Sequence, residues 1–74
     1  MNETQEEKIL KEFGQKLKNL RKEQKISIRN FAYASELSIS YIQKLEAGLS
    51  NPSFTTLLKI TEALNVELNE FGTK

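Results

Sequence analysis

Hydroxyl residues punctuate this chain wherever its apolar spacing restarts, and that punctuation limits the possible folds more than any other feature. Thr4, Ser27, Ser38 and Ser53 each precede a segment whose inward-type residues recur at intervals of three and four, the spacing of one face of an α-helix. Ser or Thr at such a position accepts a hydrogen bond from a backbone amide that the first helical turn leaves free. The chain is therefore predicted to be all-α, a run of short helices. ELSIS alternates in the manner of a strand, but it is brief and lies between two helix signals.

The first helix is expected to start at Thr4-Gln5-Glu6-Glu7, a capping box. Leu10, Phe13, Leu17 and Leu20 carry its stripe to about Gln24. Gly14 inside it costs roughly 1 kcal/mol relative to alanine, which implies that a neighbouring helix approaches closely there. Ser27 opens a second helix with the stripe Ile28, Phe31, Ala32 and Ser35. Ser38 opens a third, in which Leu37, Ile42 and Leu45 face inward and Ile39, Ser40, Gln43 and Lys44 lie opposite. Gly48 suits the left-handed position that ends a helix. After a loop that holds the only proline, Pro52, Ser53 caps a fourth helix with Phe54, Leu57, Leu58, Thr61 and Leu64 on its expected inner face. Asn65 then takes the left-handed position, and Val66, Leu68 and Phe71 imply a final short helical turn before Gly72.

At 74 residues the chain is one domain, close to the size below which a single core no longer suffices, so its apolar residues are needed for packing. It has no cysteine and no histidine, which removes disulfides, thiolate chemistry and the commonest metal ligand and general base. Without a glycine-rich phosphate loop either, neither an enzyme nor a cofactor or metal site is expected. No apolar run approaches the ~20 residues of a membrane span, and the start MNETQEEK has no apolar middle of the secretory kind. A cytoplasmic protein is expected. The formal net charge is only +1, yet it is polarised: residues 1–12 carry Glu3, Glu6, Glu7 and Glu12 against Lys8 and Lys11, while residues 13–29 carry Lys16, Lys18, Arg21, Lys22, Lys25 and Arg29 against Glu23 alone.

Two short helices joined by a tight turn, the second presenting a polar exposed face, form the unit that sets a recognition helix into the DNA major groove. From Phe13 to Phe71 the sequence resembles the lambda-repressor-like (Cro and cI type, XRE) helix-turn-helix family. The resemblance is carried by Gly14 and Leu17, Arg21 with Glu46, Ser27, Ala32, the stretch YIQKLEAG, Asn51-Pro52-Ser53 and TTLLKITEALNVELNEF. It implies a five-helix domain over residues 13–71 with helices two and three as the reading unit, residues 1–12 an acidic extension of helix one and residues 72–74 a tail. It also implies double-stranded DNA as the partner.

By the same resemblance, Ser27, Ile28 and Arg29 approach one phosphate. Ser38, Ile39, Ser40, Gln43 and Lys44 line the base-reading face with Tyr41 near the backbone, and Ser50, Asn51 and Ser53 meet a second phosphate cluster. Arg21 and Glu46 form an ion pair, with a phosphate contact the other reading for Arg21. For Ser53, plain capping is the other reading. Ile28 and Ile39 stand where relatives carry polar residues; either they form an apolar surface for thymine methyl groups or they seal the helix corner. Glu36 occupies a turn position that favours glycine, at about 1 kcal/mol, and the acidic start is expected to point away from DNA.

One small domain makes few base contacts, so a homodimer on an inverted repeat is expected. Phe54, Val66, Leu68 and Phe71 are the candidate dimer face, or else complete the core. The rival expectation is a protein-binding module of the same fold, such as an antitoxin holding a toxin or a partner of a co-regulator, with weak DNA affinity of its own.

Overall fold

The computed structural model describes residues 4–72, so the first three residues of the acidic extension and the last two of the tail lie outside the described residues. Four α-helices follow in order: α1 (Gln5–Glu23), α2 (Ile28–Ser35), α3 (Ile39–Glu46) and α4 (Phe54–Leu64). Each begins where a hydroxyl side chain accepts an amide of its own first turn. Thr4 accepts from Glu7, Ser27 from Asn30, Ser38 from Tyr41 and Ser53 from Thr56, at 3.0–3.2 Å. The capping box at Thr4 is complete, because the Glu7 carboxylate accepts the Thr4 amide at 2.9 Å.

The expected fifth helix is a 3₁₀ turn, Leu68–Phe71. Only four residues separate Glu67 and Gly72, both extended, a length that suits i→i+3 hydrogen bonding better than a regular α-helix. The turn is held down by its aromatic end: the Phe71 ring centroid lies 5.0 Å from that of Phe13 on α1.

The core is drawn from all four helices: Leu17 and Leu20, Phe31 and Ala32, Ile42 and Leu45, Ile60 and Leu64. For α1 to α3 it lies on the predicted stripes. For α4 it does not: Ile60 is fully buried, whereas Phe54 is 62% exposed and Leu58 40%. The stripe that faces inward is Leu57, Ile60, Thr61 and Leu64. Helix α4 carries apolar residues around much of its circumference, so two stripes competed on spacing alone. Thr61 tolerates burial because its hydroxyl donates to the Leu58 carbonyl at 3.0 Å, and buried Ser35 likewise donates to Phe31 at 2.7 Å.

Left-handed residues end the helical segments at Glu36 (φ 61°), Gly48 (φ 78°) and Asn65 (φ 56°), and Lys25 (φ 59°) turns the chain between α1 and α2. Gln24 stitches two ends together by donating from its side chain to the Leu64 carbonyl at 2.7 Å.

At Gly14 the backbone of α1 lies directly against that of α3. A Cβ there would collide with the Leu45 carbonyl oxygen and stand 2.6 Å from that of Glu46. Glycine to alanine inside a helix ordinarily stabilises by about 1 kcal/mol. Here backbone atoms block the methyl group, so the sign reverses: Gly14→Ala is expected to lower the thermal midpoint. Scanning calorimetry showing an unchanged or raised midpoint would contradict this packing.

Candidate nucleic-acid interface

The orientation of α3 is set at both ends. At its C-terminal end Arg21 reaches across from α1: its Nε and one terminal nitrogen donate to the two Glu46 oxygens at 2.7 and 3.1 Å, and the other terminal nitrogen donates to the Ile26 carbonyl at 2.9 Å. Both side chains are shielded, 11% and 8% exposed. The hydrogen bond to Glu46 holds the guanidinium above its ordinary pKa although burial opposes its charge. One residue thus joins α1, the α1–α2 turn and α3, the architectural role of the two expected for it.

At the other end, Ala32 is buried at the α2 side of the corner, and Glu36 holds the left-handed turn with its amide donating back to Tyr33 at 3.3 Å. Ile42 and Leu45 are fully buried. Their burial turns Ile39, Ser40, Gln43 and Lys44 outward, all exposed, while Tyr41 is half-buried against the core. The Ser38 hydroxyl caps the helix and lies 3.5 Å from that of Ser40.

The two isoleucines open α2 and α3 but differ in environment. Ile28 is half-buried and packed against the core; Ile39 keeps 38% of its surface exposed. Ser27 is engaged as a cap, and Arg29 beside it is exposed.

In the loop after α3, Ser50 is half-buried and Asn51 exposed. Ser53 is tied up as a cap, with its hydroxyl also 3.1 Å from those of Thr55 and Thr56. The first turn of α1 lies beside this loop, where the Asn51 side chain donates to the Glu6 carboxylate at 3.4 Å. The approach follows from Gly48, whose missing side chain leaves the space that Lys11 of α1 fills.

The four candidate dimer residues separate. Phe54 is the most exposed and Leu68 is 39% exposed, whereas Val66 and Phe71 are half-buried and pack on the core. Leu58, assigned inward from spacing, lies one turn from Phe54 on the same outer face of α4.

A groove between α1, α2 and α3 brings Lys18, Lys22, Ile28 and Gln43 together beside the Arg21–Glu46 pair. Lys18 and Lys22 were visible only as part of the basic run 13–29, and their meeting with α3 depends on how the helices pack. Among the described residues, no group of three or more His, Cys, Asp or Glu is placed to hold a metal ion, and no helix is long and apolar enough to cross a membrane.

These features define a class: an all-α domain whose second and third helices form a helix-turn-helix, the second of the pair with an exposed outer face. Residues 17–71 match the model of the HTH_3 helix-turn-helix family, and the chain belongs to that family. It is similar to the control protein C.MunI of a Mycoplasma species, 41% identical over 59 residues that make up 78% of this chain and 80% of the relative. It also resembles the immunity repressor of Bacillus phage phi105, 36% identical over 76% of this chain but only 39% of the repressor. In structure it is similar to the restriction-modification controller protein C.AhdI from Aeromonas hydrophila, with a TM-score of 0.82 and 37% identity over 84% of this chain and 94% of that one.

Removing one partner of the ion pair leaves the other shielded and uncompensated, which costs about 3–5 kcal/mol. Arg21→Ala is expected to lose stability in that range in urea denaturation. Replacing both partners by apolar residues, Arg21→Met with Glu46→Leu, recovers most of it; an Arg21→Ala loss below about 1 kcal/mol would show that the pair is solvated.

Proposed function

We propose that this chain is a sequence-specific DNA-binding transcriptional regulator, a repressor or operon controller of the cytoplasm, acting by binding and not by catalysis. It works as a homodimer on an inverted repeat with α3 in the major groove. The observation that carries the reading is the division of α3: two residues fully buried, and four of differing chemistry turned out on one face of a helix that the Arg21–Glu46 pair holds in place. That face offers an ammonium group, an amide, a hydroxyl and an aliphatic surface, which match guanine, adenine and thymine edges in the major groove.

Phe54, Leu58 and Leu68 supply the homodimer face in this reading, as apolar side chains left on α4 and the turn after it. Selection of bound duplexes from a random library is expected to return an inverted repeat with half-sites about one helical turn, ~10 bp, apart. Lys44→Ala weakens binding to the selected site by roughly tenfold, about 1–3 kcal/mol, without moving the thermal midpoint. A single unrepeated motif would rule out the dimer, and unfolding by Lys44→Ala would rule out the face.

The packing of Ile28 against the core and the exposure of Ile39 support separate roles for the two isoleucines. Ile28 completes the corner, and Ile39 reads a thymine methyl. Replacing thymine by uracil within the selected half-site removes only that methyl group, and the loss expected at one position, about 1 kcal/mol, should vanish in Ile39→Ser. An equal loss in both proteins would exclude Ile39 as the reader. The competing reading, a toxin- or co-regulator-binding module, predicts protein capture insensitive to salt, where duplex binding falls steeply as salt rises.

A further inference from the structure

The groove between α1, α2 and α3 has an electrostatic imbalance that the reading face does not account for. Its walls carry Lys18, Arg21 and Lys22 against one carboxylate, Glu46. That carboxylate is consumed by Arg21 through both of its oxygens. Lys18 and Lys22 therefore have no ion-pair partner among the described residues, and Lys18 is half-buried nonetheless. Two ammonium groups on one groove wall with no fixed counter-charge make that wall attractive to an anion.

The groove's other walls indicate which anion. Gln43 belongs to the outward face of α3, and Ile28 opens α2. A duplex seated on α3 brings its backbone along this edge. Ile28 has no polar group to offer a phosphate there, which leaves backbone amides, the exposed Arg29 beside it and the neighbouring lysines.

We propose that Lys18 and Lys22 form a phosphate clamp for the duplex that α3 reads, gripping the DNA backbone from α1 and replacing the side-chain contact that Ile28 cannot make. The clamp rests on the DNA-binding reading above. It fixes the register of α3 in the groove and carries no sequence preference of its own, because a phosphate is the same at every step.

Each phosphate neutralised contributes a slope of about −0.9 to log K against log salt. The double variant Lys18→Gln/Lys22→Gln is expected to reduce the slope of the wild-type protein by about 1–2, equally on a duplex selected by the wild type and on a scrambled duplex of the same length. Lys18→Arg/Lys22→Arg restores the slope, and Lys59→Gln, an exposed lysine on α4, leaves it unchanged. Thermal midpoints of all variants are read alongside, so that unfolding is not mistaken for lost contact.

A wild-type slope that survives in the double glutamine variant would overturn the clamp while leaving DNA recognition standing. A loss confined to the selected duplex would overturn it too, because it would assign these lysines to base reading. A wild-type protein that binds neither duplex in a salt-dependent way would remove the reading on which the clamp rests.

Discussion

The contact between Arg21 and Glu46 sets the geometry on which the rest of the molecule depends. Helix α3 is only eight residues long, too short to be stable in isolation, and it meets the core through little more than Ile42 and Leu45. Two apolar contacts fix which side of a short helix faces inward but leave its axis free to tilt. The bidentate ion pair, with the Ile26 carbonyl as third acceptor, removes that freedom at the C-terminal end. A shielded pair of this kind contributes less to net stability than to defining one arrangement, since desolvation offsets much of the attraction. Its value here is directional: it aims four exposed side chains.

Close packing at Gly14 and the ion pair reinforce one another. The glycine lets the α1 backbone come against the carbonyls at the end of α3, which brings Arg21, two turns further along α1, within reach of Glu46. Neither feature alone determines the crossing of the two helices. Together they also build the groove wall that carries Lys18 and Lys22, so the same crossing that presents the reading face places the basic edge next to it.

How far the sequence disclosed all this depended on the range of each interaction. The four caps were legible because a cap is local, a hydroxyl and an amide three residues away. Gly48 and Asn65 were legible as left-handed positions for similar reasons, by the preferences of glycine and asparagine, whereas Glu36 was marked only by the family resemblance. The stripes of α1 to α3 were legible because polar residues bound them clearly. Helix α4 defeated the same reasoning: Leu57, Leu58 and Ile60 allow two inner faces, and only packing against α2 and the final turn chooses Ile60 over Phe54 and Leu58. The groove at Lys18 and Lys22, the half-burial of Ile28 and the approach of Glu6 to Asn51 are products of assembly between distant segments, and no local pattern announces them.

The central claim is that the outer face of α3 is the surface that meets a duplex. The most direct measurement is a titration of isotopically labelled protein with a duplex chosen by selection, following backbone amide and isoleucine methyl resonances. The account predicts the largest shifts at Ile39, Ser40, Gln43 and Lys44, with a second group at the start of α2, and intermolecular contacts from the Ile39 methyl groups to major-groove protons. Shifts centred on the outer face of α4, with α3 unmoved, would contradict it.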